Sequence, residues 1–161
     1  MLYVGLGSNI GQREENLRRA LQALGESVGE VKACSKFYET EPQGFRSNNL
    51  FLNAAAAIET TLPPETILRL TQTIERTLGR KHKSQGGVYQ DRTIDIDLLL
   101  YEGLTLHTPE LVLPHPGLTS RRFVLKPLAD IAPMLIVGGR TVEAWLKLLE
   151  TSNEESSKTP R

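Results

Sequence analysis

The chain has 161 residues, 39% of them hydrophobic, with 19 Lys and Arg balanced by 19 Asp and Glu. That length holds one domain with a real core and at most a tail, and zero net charge argues against a broad nucleic-acid or anionic-membrane surface. The one cysteine, Cys34, excludes an intrachain disulfide and a cysteine-based metal site. Cys34 is expected to be a buried small hydrophobe in a reducing compartment. No apolar run is long enough for a membrane span, and the first residues lack the charged start and apolar core of a signal peptide. A soluble, cytoplasmic protein is the expectation.

Residues 2–6 form a short apolar run ending in Gly7-Ser8-Asn9-Ile10-Gly11, the pattern of a buried strand entering a tight loop. Leu17, Ala20, Leu21 and Leu24 then fall at i, i+3, i+4 and i+7. They predict an amphipathic helix with Glu14 and Glu15 in its first turn and Gly25 as its stop. Gly5, Gly7 and Gly11 space as G-x-G-x-x-x-G, one residue too long for a dinucleotide fingerprint, and no G-x-x-x-x-G-K-[ST] occurs. The glycine loop is therefore either an ordinary turn or a ligand-facing loop. Residues 28–38 read as one strand. Residues 39–49, with Pro42 and Gly44, read as a long loop of a kind that often binds ligands. Residues 50–59 return as an alanine-rich strand. Pro63-Pro64 opens a second helix, its buried face lined by Ile67, Leu70, Thr71, Ile74 and Leu78 and its end set by Gly79.

Arg80-Lys81-His82-Lys83 follows, ahead of Gly86-Gly87. Basic side chains there either complement the helix dipole or belong to a lid over phosphate. The next strand, residues 94–101, contains Asp95-Ile96-Asp97. Simple alternation puts Ile94, Ile96, Leu98 and Leu100 on one face and Asp95, Asp97, Leu99 and Tyr101 on the other. Two acidic residues on one strand face, their Cα atoms roughly 6.5–7 Å apart, either face water or share a divalent cation. A turn at Gly103 and a partner strand near residues 104–106 come next. Pro114-His115-Pro116 is a rigid corner holding either a structural or a ligand-contacting histidine. Residues 119–131, with Arg121-Arg122-Phe123, read as partly helical. Val142, Trp145, Leu146 and Leu149 mark a last helix, and residues 151–161 read as a disordered tail beyond a single domain of residues 1–150. This order gives an α+β fold close to a ferredoxin-like sheet with helices on its faces.

Several separated segments together resemble one family. They are Gly7-Ser8-Asn9, Phe37-Tyr38-Glu39-Thr40, Phe51-Leu52-Asn53-Ala54-Ala55, Glu75-Arg76-Thr77-Leu78-Gly79-Arg80, Arg92-Thr93-Ile94-Asp95-Ile96-Asp97-Leu98-Leu99, Pro114-His115-Pro116 and Arg121-Arg122-Phe123. In this order they resemble the 6-hydroxymethyl-7,8-dihydropterin pyrophosphokinases of folate biosynthesis. The resemblance implies a three-layer α/β/α sandwich on a ferredoxin-like core, its sheet mainly antiparallel. It also implies transfer of diphosphate from ATP to a pterin alcohol by a monomer, with AMP as the other product.

On the same ground Asp95 and Asp97 would hold two Mg²⁺ ions, and Arg80 and Arg92 would join them as catalytic residues. ATP would lie against Gln72, Arg80, Lys83, Arg92, the backbone of Leu98, His115 and Arg121. The pterin would stack between Phe51 and Phe123, its edge met by Thr40, Gln43, Asn53 and Asp95. Phe51, Tyr89, His82, Gln90-Asp91 and Pro116 depart from the usual pattern of the family.

Overall fold

Alternating side chains sort this chain onto the two faces of one sheet, and the helices follow that division. The structure, a computed structural model, describes residues 1–40, 50–79 and 93–158, with side chains through Thr151. Strands β1 (Leu2–Ser8), β2 (Glu30–Cys34), β3 (Tyr38–Thr40), β4 (Phe51–Glu59) and β5 (Asp95–Tyr101) form the main sheet. Its order is β2-β4-β1-β5, with β3 also pairing β4, and every pairing is antiparallel. Helix α1 (Arg13–Ser27) carries the chain from β1 to β2, and α2 (Pro64–Gly79) from β4 to β5. Each crossover steps over one strand, which is the interleaved ferredoxin-like arrangement.

Leu17, Ala20 and Leu24 of α1 and Ile67 and Ile74 of α2 pack with Val4, Leu6, Ala54, Ala56, Ile96 and Leu98 in one core. Helices α3 (Arg122–Ile131) and α4 (Val142–Lys158) build a second core on the opposite face. There Leu125, Leu128, Val142 and Leu146 meet Ala55, Leu99 and Leu100. The result is the expected three-layer α/β/α sandwich with a mainly antiparallel sheet. Two short ribbons complete it: β6 (Leu106–His107) with β7 (Val112–Leu113), and β8 (Ile136–Val137) with β9 (Arg140–Thr141). Among the described residues no helix is long and apolar enough to cross a membrane.

Several local expectations are corrected. The β1–β5 register shifts between Tyr3 and Val4, which pair with Leu100 and Leu98, so Leu99 is an extra residue in the ladder. The bulge reverses the alternation. Leu100 joins Leu99 in the second core, while Tyr101 swings to the first and donates its hydroxyl to the carbonyls of Thr60 and Leu62.

Gly25 does not stop α1, which runs on to Ser27, where the N–H groups of Val28 and Gly29 both reach Leu24 O. The glycine this turn requires is Gly29, where a Cβ would lie 2.0 Å from Glu59 O. Residues 28–38 divide into β2 and β3 because Ser35 turns aside to exchange hydrogen bonds with the backbone of Ala55. Cys34 is exposed: it ends β2, an outermost strand of the main sheet order, beyond a register shift between Val31 and Ala33. The strand near 104–106 pairs forward with β7, leaving only a bridge between Leu104 and Tyr101. Backbone helix continues in α4 to Lys158, through most of the segment read as a tail.

Candidate active site

Residues directly opposite each other in an antiparallel ladder point to the same face. Asp95 pairs with Gly7 and Asp97 with Gly5 on β1; on β4, Gly7 pairs with Asn53 and Gly5 with Ala55. Farther out, Asn53 pairs with Tyr38, and Phe51 with Thr40. One sheet face therefore carries a carboxylate row, a strip without side chains, and an amide and aromatic row. The strip matters sterically. A Cβ on Gly7 would lie 3.1 Å from Asn53 Oδ1 and 3.5 Å from Phe51 Cδ1. Both aspartates are half-buried, as the second core covers the same face from Leu99 onward.

Asn53 is buried and its Nδ2 donates to Thr40 Oγ1. That bond fixes which way the amide faces, leaving one N–H and Oδ1 directed by β4. Phe123 projects from the first turn of α3, and Arg121 just before it lays its guanidinium over that ring at 5.9 Å. Arg121 also lies tight against Gly117, where a Cβ would be 2.6 Å from its Nε.

The edge of β5 is capped at two points. Glu75 of α2 accepts the Ile96 N–H at 2.8 Å, and the His115 N–H donates to Leu99 O at 2.7 Å. His115 Nδ1 in turn accepts from the Gly117 N–H at 3.0 Å, so the neutral ring carries its hydrogen on Nε2. Burial and the neighbouring Arg121 charge push the His115 pKa below its usual value, against a smaller opposing pull from Asp95. The histidine thus stands within electrostatic reach of both the arginine and the carboxylate row.

Thr40, Phe51, Asn53, Asp95 and Asp97 share this face, and His115 is drawn to its edge. Gln72 lies exposed on α2, and the Leu98 side chain is buried on the opposite face with the first core. Arg80, Lys83, Arg92 and Gln43, with His82, Gly86-Gly87, Tyr89 and Gln90-Asp91, lie outside the described residues. The glycine motif is buried at its start and exposed by Gly11. Ser8 and Asn9 are buried, Gly11 adopts a positive φ, and Asn16 Nδ2 donates to Ser8 Oγ and Ile10 O.

Other residues at this face carry no role in the sequence reading. Gly5 and Gly7 matter as absences beside charged residues, a meaning visible only once the strand register is known. Tyr38, whose hydroxyl donates to Asp130 Oδ2 at 2.6 Å, ties β3 to α3 across 92 positions of sequence. No local pattern announces such a pair.

Comparison with known proteins gives the arrangement its context. A profile of the 7,8-dihydro-6-hydroxymethylpterin-pyrophosphokinase (HPPK) family matches residues 3–133. A 2-amino-4-hydroxy-6-hydroxymethyldihydropteridine pyrophosphokinase from Porphyromonas gingivalis is 52% identical over 136 residues, covering 84% of this chain and 92% of its own. The protein of the same name from Methylorubrum extorquens is 45% identical over 154 residues, covering 95% and 96%. Among solved structures, wild-type Plasmodium falciparum HPPK-DHPS with pteroate superposes with a TM-score of 0.78 at 15% identity. It is matched over 98% of this chain and 44% of that longer one, a likeness of fold alone.

Fold and matches first define the class, an α/β/α enzyme that is a pyrophosphokinase. More particularly, the chain belongs to the 7,8-dihydro-6-hydroxymethylpterin-pyrophosphokinase family.

Proposed function

We propose that this face transfers diphosphate from ATP to the hydroxymethyl oxygen of 6-hydroxymethyl-7,8-dihydropterin, releasing AMP and supplying a step of folate biosynthesis. Asp95 and Asp97 would seat two Mg²⁺ ions. The observation that carries this reading is the register that sets both half-buried carboxylates opposite glycines, on the same sheet face as Asn53 and Phe51.

The donor set fits Mg²⁺. Among the described residues no group of three or more Asp, Glu, His or Cys could close around a cation. Two carboxylates with the remaining oxygens from water and phosphate are what this ion accepts. Bound there, it would neutralise and align the triphosphate.

The remaining side chains bind and orient. Neutral His115 offers its Nε2 hydrogen to a phosphate or ribose oxygen, and Arg121 supplies a permanent charge beside it. Gln72 and the Leu98 backbone are assigned to the nucleotide. Phe51 and Phe123 would stack on the pterin faces, while Asn53, Thr40 and Asp95 meet its edge. On sequence grounds Arg80, Arg92 and Lys83 are assigned to charge on the transferring group, and Gln43 to the pterin. Small substrates need no second subunit, and we read the protein as a cytoplasmic monomer.

Chromatography of a mixture of protein, Mg²⁺, ATP and the dihydropterin tests the assignment. AMP and the pterin diphosphate are expected in equal amounts. ADP would refute diphosphate transfer, released pyrophosphate would indicate nucleotidyl transfer, and no turnover would favour a non-catalytic sensor.

A further inference from the structure

The ladder between β3 and β4 is only three pairs long, Tyr38 with Asn53, Glu39 with Leu52 and Thr40 with Phe51. It nevertheless carries Thr40, Phe51 and Asn53, the residues assigned above to the pterin. So short a pairing at a sheet margin does not hold its own spacing strongly. Contacts on both sides of the sheet hold it, and the one that spans both strands lies underneath.

Arg13 opens α1, on the far side of the sheet from the carboxylate row. Its Nη1 donates to Leu50 O at 2.9 Å and its Nη2 to Glu39 Oε1 at 3.0 Å. Glu39 precedes Thr40 on one strand, and Leu50 precedes Phe51 at the start of the other. A single planar fork therefore grips both strands at the point where they diverge. Alternation explains the geometry, since Glu39 must point to the α1 side when Thr40 points to the site side.

The Arg13 and Glu39 side chains are 30% and 53% exposed, and ion pairs so placed contribute little to stability. The pair's location is more informative than its strength. On the site side the same short strand is pinned by Tyr38 to Asp130 of α3, and the backbone N–H of Lys36 also reaches that carboxylate at 3.2 Å.

We infer that Arg13 is a positioning residue for the pterin. It sets the separation of Thr40 and Phe51 from beneath the sheet and, through the Thr40 hydroxyl, the orientation of the Asn53 amide. The inference rests on the pterin reading given above. The guanidinium suits the task because its two donors are fixed in one plane, whereas a lysine ammonium is a point charge on a flexible stem.

Steady-state kinetics and calorimetry on the full chain test it with Arg13→Gln, Arg13→Lys and, as a control, Arg19→Gln. Arg19 makes an exposed pair with Glu15 on the same helix, so its loss removes the same charge without touching β3 or β4. Arg13→Gln is expected to raise the KM for the dihydropterin about tenfold, as misplacement of a binding group does, while kcat and the affinity for an inert ATP analogue stay as in the parent. Arg13→Lys is expected to fall between the two, and Arg19→Gln to match the parent. An unchanged pterin KM in Arg13→Gln, or equal weakening of pterin and nucleotide, overturns the inference while leaving the pterin reading intact. Failure of the parent chain to bind the dihydropterin overturns both.

Discussion

The two faces of the sheet are built from the same strands and serve different ends. On the α1 and α2 side, Val4, Leu6, Ala54, Ala56, Ile96 and Leu98 are each less than 7% exposed and meet two helices along their length. On the α3 and α4 side the helices cover only the end near Leu99 and Ala55, and the other end holds Gly5, Gly7, Asn53, Asp95 and Asp97. A slip of β5 by one residue would carry Asp95 and Asp97 to the α1 and α2 side and bring Ile96 and Leu98 to the site face, so the β1–β5 register fixes where the charge stands. One face supplies cohesion, and the other supplies space and charge at a modest cost in apolar contact.

The sharpest way to break this comparison is to injure each face separately. Asp97→Ala is expected to lower turnover by roughly 10²–10³-fold or more, the scale of removing a transition-state charge contact, while the thermal unfolding midpoint moves by only a few degrees. Leu24→Ala, in the opposite core, is expected to cost about 2–5 kcal/mol in denaturant unfolding, with kcat of the folded fraction unchanged. If Asp97→Ala unfolds the chain, or if Leu24→Ala abolishes turnover in folded protein, the division of labour is wrong.

Much of this division was legible in the residues. The 3.6-residue pattern at Leu17, Ala20, Leu21 and Leu24 reports a helix, and Asp95-Ile96-Asp97 reports a strand with charge on one side, since both periods are local. The bulge at Leu99 was not legible, because an extra residue in a ladder depends on the partner strand and not on β5 itself. The split of β2 from β3 was hidden for a similar reason. Ser35 turns aside to bond Ala55, twenty positions away. In the candidate site the acidic pair and His115 stood out by residue type. The glycines opposite them, and Arg13 beneath, acquire meaning only through strand pairing.

A subtler probe sharpens the contrast within the site face. Gly7→Ala adds one methyl that would lie 3.1 Å from Asn53 Oδ1, an atom held by the bond of its own amide to Thr40. The amide must shift, and the dihydropterin affinity measured by calorimetry is expected to fall about tenfold with little change in nucleotide affinity. Equal affinity in the variant would show that the strip between the carboxylates and Asn53 is not occupied by ligand.

The smallest expected effect is in pH. His115 is held below its ordinary pKa by burial and by Arg121, so in acid the unfolded chain takes up this proton first. Its contribution to stability is therefore complete above about pH 6.5 and declines as pH falls from there toward the lower folded value. Unfolding midpoints across that window should drop less steeply in His115→Asn than in the parent. Parallel curves for the two would contradict the assigned environment of the imidazole.

The central claim is that Asp95 and Asp97 grip a magnesium-bound triphosphate, and titration calorimetry with an inert ATP analogue addresses it most directly. Binding to the parent chain should require Mg²⁺, and the doubly substituted Asp95→Asn, Asp97→Asn chain should lose that requirement together with most of its affinity. Tight binding that ignores Mg²⁺ in the parent, or survives unchanged in the double variant, would contradict the account.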